Sequence, residues 1–207
     1  MVKVVVERIP TIFLCCDTLI TAEDVVSAAR FQNEKRRCEH LAWRRVVREE
    51  LGRGVRISYN DNGAPQVDIP ERWIGVSHSE GRVAVAFADE PVGIDIESSE
   101  RDTFERVKSR YMSDEEMALS DDALWVVYVW TAKEAMYKLY GERGVELRDD
   151  LRVESFDPQS LVLRGSLRGE RGAKVQISHY DDEMVVAFKG MTIDDGIVVV
   201  VMLEKLL

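Results

Sequence analysis

The stretch Val92-Gly93-Ile94-Asp95-Ile96-Glu97 constrains this chain more than any other. Val92, Ile94 and Ile96 alternate with Gly93, Asp95 and Glu97. A period of two reads as a β-strand with one apolar face and one face carrying a glycine and two carboxylates. Side chains two apart on a strand point the same way, with Cα atoms roughly 7 Å apart. Carboxylates that close repel unless a positive group lies between them. A divalent cation is the usual answer, and oxygen-only ligands favour Mg²⁺ or Mn²⁺. Gly93 leaves room on that face for something bulky. The competing reading is a solvated strand face, so the strand must be judged with its neighbours.

The chain has 207 residues, which suits one large domain or two small ones with a real core. Hydrophobic content of 45% with 32% charged residues fits a globular protein and argues against disorder. The net charge of −10 disfavours nucleic acid as a partner. An anionic ligand would need a local basic patch. Cys15, Cys16 and Cys38 are odd in number and form no CxxC pair, so reduced thiols in a cytoplasmic protein are expected and zinc is not. Lys3, Glu7, Arg8 and Pro10 interrupt the apolar start, and the closing run 196–203 is too short for a bilayer. No membrane association is expected.

Residues 2–6 and 11–15 read as strands around Pro10. Thr21, with Glu23 and Asp24 after it, opens a helix over Val25, Val26 and Ala29. Residues 33–52 form a long helix stopped by Gly52, with Leu41, Val47 and Leu51 in its apolar stripe. Arg36, Arg37, His40, Arg44 and Arg48 crowd its other faces. Such a run is ordinarily an ion-paired surface, yet it is the best candidate for an anion pocket. A strand over 55–59 leads to a turn signalled by Asn62-Gly63. Residues 73–77 and 82–87 form a hairpin ahead of the Asp95/Glu97 strand. Residues 103–117 read as helical, breaking near Ser113, where Ser113 and Glu116 fit a capping box. Residues 123–140 form an apolar-rich helix ended by Gly141, on which Glu134 and Lys138 share a face as a surface pair or as functional groups. Strands follow from Leu151, ending in the hairpin 174–178 and 184–188 and a final apolar strand.

An internal echo links the halves. Residues 74–87 (IGVSHSEGRVAVAF) and 175–188 (VQISHYDDEMVVAF) match in register at Ser-His and Val-Ala-Phe. Arg30-Phe-Gln-Asn-Glu-Lys35 echoes Arg110-Tyr-Met-Ser-Asp-Glu115. The expectation is an α+β fold of two similar α/β halves, 1–100 and 101–207, about a pseudo-twofold axis, with a ligand cleft between them. Asp-x-Glu belongs to the first half and the Trp-x-x-Lys-Glu helix to the second, so one site would draw on both.

Three signals thus stand in order: Ser77-His78-Ser79, Gly93-Ile94-Asp95-Ile96-Glu97 and Trp130-Thr131-Ala132-Lys133-Glu134-Ala135. Together they resemble the 4′-phosphopantetheinyl transferases, specifically the larger monomeric, pseudo-dimeric type that activates synthetase carrier domains. The turn Asn62-Gly63-Ala64-Pro65 resembles that family's Gly-Lys-Pro motif, with Ala64 where lysine is usual. The resemblance spans about residues 30–140 and rests beyond 150 on length and strand pattern. It implies a two-half α/β fold and Mg²⁺-dependent transfer of phosphopantetheine from coenzyme A to a serine of an apo acyl or peptidyl carrier protein, a holo-acyl carrier protein synthase activity. It implies Asp95, Glu97 and Glu134 as metal ligands, Glu134 or Glu116 as the base, and Lys138, with Lys133, at the pyrophosphate. It places Ser77 and His78 on the phosphates, and Arg37, His40 and Arg44 in the region of the 3′-phosphate and adenine. The alternative is a non-catalytic relative that binds coenzyme A or a partner, favoured by Ala64 and by the acidic charge. Acidic carriers would not be attracted at long range, so docking would need a local apolar and basic patch. No P-loop pattern appears, and no Ser-His-Asp grouping, since Ser77 and His78 face opposite ways on a strand.

Overall fold

The computed structural model describes residues 2–10, 16–99, 103–169, 171–180 and 184–190. The expected strands at 11–15 and 196–203 lie outside them. Strand β1 (Val2–Arg8) is followed by helices α1 (Ala22–Ala28) and α2 (Glu34–Leu51) and a small hairpin of β2 (Ile57–Tyr59) and β3 (Pro65–Val67). Then come β4 (Trp73–Ser79), β5 (Arg82–Ala88) and β6 (Val92–Ser98). Short helices α3 (Thr103–Val107) and α4 (Asp114–Met117) flank a 3₁₀ turn, and α5 (Trp125–Tyr140) precedes β7 (Leu151–Asp157), β8 (Val162–Leu167), β9 (Arg171–Tyr180) and β10 (Met184–Gly190).

The helix ends follow from their capping chemistry. The Thr21 hydroxyl accepts from the Asp24 amide while the Asp24 carboxylate accepts from the Thr21 amide, a reciprocal cap on α1. The Asn33 carbonyl oxygen accepts from the Lys35 and Arg36 amides and starts α2. Gly52 and Gly141 end α2 and α5 at φ of 103° and 60°, where side chains are disfavoured. Ser113 and Glu116 form the expected capping box on α4.

Two antiparallel sheets carry the molecule. One runs β1-β5-β4 and the other β6-β10-β9-β8-β7. In both, a strand pairs with the second arm of a hairpin: β1 with β5 of β4–β5, and β6 with β10 of β9–β10. Strand β5 is buried throughout because both its faces are covered. Val83, Val85 and Phe87 pack on Trp43, Val46 and Val47 of α2. Ala84, Ala86 and Ala88 meet Ile94 and Ile96 of β6. Small residues on that side let the sheets approach. Helix α5 covers the second sheet, with Val129, Ala132 and Met136 against Val153, Leu163 and Val175. Among the described residues no helix is long and apolar enough to cross a membrane.

The expected alternation of β6 is present, but the space at Gly93 is filled by the protein itself. A Cβ there would lie 2.0 Å from the Ala135 carbonyl oxygen and 2.9 Å from the Leu139 Cβ. The bulky neighbour is the backbone of α5. Gly93→Ala should therefore cost roughly 1–3 kcal/mol or more by overpacking. Gly54→Ala, where nothing lies within 4 Å, should stay within about 0.5 kcal/mol. Urea unfolding of both variants checks this contrast.

Candidate active site

A cleft of about 440 Å³ opens where α2, β4, β6 and α5 meet. Its two ends differ. One holds Ser77, Asp95 and Lys138; the other is walled by Phe31, His40, Trp43 and Tyr59. Arg36, Glu39 and His78 lie along it.

Because α5 presses on Gly93, the carboxylates on the same face of β6 point at the helix. Asp95, 4% exposed, accepts at Oδ1 from the Ser77 hydroxyl at 2.7 Å and from Lys138 Nζ at 2.7 Å. Lys138 also donates to Ser77 Oγ at 3.0 Å. Asp95 Oδ2 is buried without a hydrogen-bond partner. Glu97 accepts at Oε2 from the Ser79 hydroxyl at 2.9 Å and at Oε1 from the Trp130 indole at 3.3 Å. Burial raises the Glu134 carboxyl above the usual carboxylate range, the negative charges of Asp95 and Glu97 add to this, and Lys138 opposes it. Asp95, Glu97, Glu134 and Lys138 are therefore one electrostatic group. Lys138 pairs with Asp95 rather than with Glu134 on its own helix, so the surface Glu–Lys pair allowed by spacing is not what forms.

The donor set is all oxygen, and an unpartnered buried carboxylate oxygen is a strong cation acceptor, so these residues fit a hard divalent ion. The chain has not already gathered them around one. Among the described residues no group of three or more His, Cys, Asp or Glu is close enough to hold a metal ion. The Lys138 ammonium supplies the positive charge at Asp95 instead.

The rest of the cleft wall comes from Phe31, α2, β4 and the residues between them. His78 Nε2 accepts from Arg36 at 3.0 Å, and Glu39 lies 3.5 Å from Nδ1. Burial lowers the His78 pKa, the Glu39 carboxylate opposes this, and the Arg36 and Lys138 charges add to it. Ser77 and His78 are adjacent on β4, and both line the cleft. Arg37 is exposed, does not line the cleft, and donates to the carbonyl of Phe31, which does, at 2.6 Å.

The arginine face of α2 is not the solvated surface that its composition suggests. His40, Arg44 and Arg48 are only 6%, 2% and 4% exposed. Arg44 and Arg48 both pair with buried Asp24, and Arg44 lies 4.0 Å over the Trp43 ring and donates to the Tyr59 hydroxyl at 3.0 Å. Burial alone would raise the Asp24 carboxyl, but bonds from Arg48 and Thr21 hold it below its ordinary range. Arg44 can only donate, so His40 Nδ1, 3.2 Å away, carries the lone pair, and Nε2–H donates to Ser27 Oγ at 3.0 Å. Sequence spacing could not reveal this, because the partner Asp24 comes from α1.

Glu116 and Lys133 are brought together, but away from the cleft. Lys133, 0% exposed, donates to Glu116 at 2.8 Å and to the Tyr111 carbonyl at 2.6 Å. Glu116 also accepts from the Ser113 and Val153 amides. Burial lowers the Lys133 pKa while Glu116 counters it. Both side chains are bonded in the interior between α4, α5 and β7, and neither lines the cleft. Ser79 and Trp130 were missed as site residues. Each was legible only as part of a motif, and Trp130 reads as core: it does pack on Phe104 and Tyr111 while its indole holds Glu97.

Burial and the Arg44 charge hold the His40 pKa at about 4, against an ordinary 6.5. On acidification the unfolded chain takes up this proton near pH 6.5, while the folded chain resists until about pH 4. The contribution is therefore complete above pH 6.5 and is lost as pH falls towards 4, by up to about 3 kcal/mol. His40→Gln should flatten this part of the stability–pH curve, measured by urea unfolding across the same window.

Residues 91–188 match the family model described as the 4′-phosphopantetheinyl transferase superfamily. No curated protein matches the chain. The matched segment begins just before β6 and ends in β10, so it contains Asp95, Glu97, Glu134 and Lys138 together with the contact that joins α5 to β6. Over residues 91–188 the chain therefore carries a domain of the 4′-phosphopantetheinyl transferase superfamily, the enzymes of phosphopantetheine transfer.

Proposed function

We propose that this protein moves the 4′-phosphopantetheine group of coenzyme A, with Mg²⁺, to a serine hydroxyl of an apo acyl or peptidyl carrier protein. The observation that carries the reading is the Asp95 environment: one oxygen bonded to Lys138 and Ser77, the other buried and unpartnered, in a cleft whose far end is aromatic. A diphosphate needs cations at one end of its site, and a purine needs flat apolar walls at the other.

The chain's own groups then divide the work. Phe31, His40, Trp43 and Tyr59 would hold adenine, and Arg36, with exposed Arg37 bonded to the Phe31 carbonyl, would meet the 3′-phosphate. His40 and Arg44 shape that wall from beneath. Ser77 and His78 stand beside the diphosphate, and Lys138 would neutralise the leaving side. Asp95, Glu97 and Glu134 would hold Mg²⁺, which when bound offsets the diphosphate's negative charge. Lys138 must then release Asp95 Oδ1 and turn to phosphate, which its half-exposed side chain permits.

In the transfer, the serine oxygen attacks the phosphorus bearing pantetheine. A new O–P bond forms, and the bond from that phosphorus to the bridging oxygen breaks. Adenosine 3′,5′-bisphosphate leaves with the electron pair. The serine proton passes to Glu134, which stands on α5 within the field of Asp95 and Glu97; Glu116 is enclosed and left out of this step. The order β1-β5-β4, repeated in β6-β10-β9, supports halves of similar build about a pseudo-twofold axis. The reading takes the protein as a monomer in the cytoplasm.

Incubation with apo carrier proteins, coenzyme A and Mg²⁺ should add the mass of one phosphopantetheinyl group to the carrier. Glu134→Gln should lower turnover about 10²–10⁴-fold, as loss of a general base does. Asp95→Ala should abolish Mg²⁺-dependent transfer while the fold survives. Tight coenzyme A binding with no transfer to any carrier in a panel would instead identify a non-catalytic binder, the reading that Ala64 favours.

A further inference from the structure

Four residues of α2 line the cleft at the spacing i, i+3, i+4 and i+7: Arg36, Glu39, His40 and Trp43. They form one face of the helix. Three of them suit a nucleotide, one as a cation and two as flat rings. The fourth, Glu39, is a carboxylate only 4% exposed, in the wall of a cleft read as taking a polyanion. Arg36 Nη1 donates to Glu39 Oε2 at 3.2 Å and to His78 Nε2 at 3.0 Å, and His78 Nδ1 lies 3.5 Å from Glu39. The Arg36 side chain is 56% exposed and that of Glu39 6%, so Arg36 can turn to a ligand while Glu39 stays in the wall. A buried carboxylate that gives up its cation needs another donor.

We propose that Glu39 accepts from the ribose 2′-hydroxyl of the donor nucleotide and so sets which sugar phosphate the protein takes. The proposal rests on coenzyme A as the donor and concerns a residue that the transfer step does not use. Its position follows from the order along the cleft. His78 stands beside the diphosphate and Trp43 in the adenine wall, so the ribose lies between them, at Glu39. The ribose carries a phosphate on C3′ and a hydroxyl on the neighbouring C2′. Arg36 and Glu39, one helical turn apart, present a cation and an acceptor with the same adjacency. When Arg36 meets the 3′-phosphate, the 2′-hydroxyl takes its place as donor to Glu39. Carboxylates read ribose hydroxyls in this way in dinucleotide sites. The same charge repels a phosphate on C2′, so the site rejects that regioisomer as well as the deoxy sugar.

Calorimetry with adenosine 3′,5′-bisphosphate, its 2′-deoxy analogue and adenosine 2′,5′-bisphosphate tests it. The unaltered protein should bind the first about 10-fold or more tighter than either of the others, the range for a hydrogen bond to a charged group. Glu39→Ala should erase the difference between the ribose and deoxyribose 3′,5′ compounds. Glu39→Gln keeps an acceptor for the hydroxyl but removes the charge, so it should retain the preference for ribose over deoxyribose while tightening the 2′,5′ isomer. The three-ligand comparison on the unaltered protein does not depend on how the variants fold. Equal binding of the ribose and deoxyribose compounds there would overturn the assignment. So would equal weakening of both in Glu39→Ala, the signature of a residue that only holds Arg36 and His78. Failure of the unaltered protein to bind adenosine 3′,5′-bisphosphate or coenzyme A at all would overturn the donor itself, and the role of Glu39 with it.

Discussion

Helix α5 lies so close to strand β6 that its backbone occupies the place of a side chain at Gly93. Any Cβ there would collide with the Ala135 carbonyl oxygen at 2.0 Å. This contact fixes the distance and rotation of the helix, and hence which of its residues look onto the strand. One and two strand repeats along, Asp95 and Glu97 meet Lys138 and Trp130. A wider helix–sheet spacing would leave two partly buried carboxylates with fewer partners, which is costly in a low-dielectric interior.

The charges near the cleft are managed by enclosure as much as by pairing. Asp24 takes two arginines, and Glu116 takes Lys133 and two backbone amides. Such interior ion pairs contribute little net stability against well-packed apolar groups, but losing one partner strands the other. They set geometry. The Asp24 pairs hold α1 against α2 and seat Arg44 under the aromatic wall. The Glu116–Lys133 pair ties α4 to α5 and, through the Val153 amide, to the second sheet. Asp95, which lines the cleft, has one buried oxygen left without a hydrogen-bond partner.

Much of the layout was legible in the sequence. The alternation of Val92–Glu97 gave a strand with its carboxylates on one face, and Thr21, Asn33, Ser113, Gly52 and Gly141 marked helix ends through local capping chemistry. The arginines of α2 could be read as an ion-paired surface or as an anion pocket, and periodicity along one helix carries no information about Asp24 on another, which takes Arg44 and Arg48. Trp130 read as core and proved to be both core and hydrogen-bond donor, since an indole has an apolar body and a polar edge. Glu116 could be read as a cap or as the base, and its side chain caps α4 while accepting from Lys133 and the Val153 amide.

By itself, then, the sequence determined the local order: which segments extend or coil, which faces are apolar, and that carboxylates, a lysine and a Ser-His pair occur in a family's spacing. These depend on neighbours within a few residues, and a linear pattern records them. Tertiary structure alone decided which charges are spent and which remain available. Pairing of Lys138 with Asp95, burial of Arg44 on Asp24 and enclosure of Glu116 by Lys133 depend on elements that meet only after folding, where burial and a partner's distance set the energy of each charge.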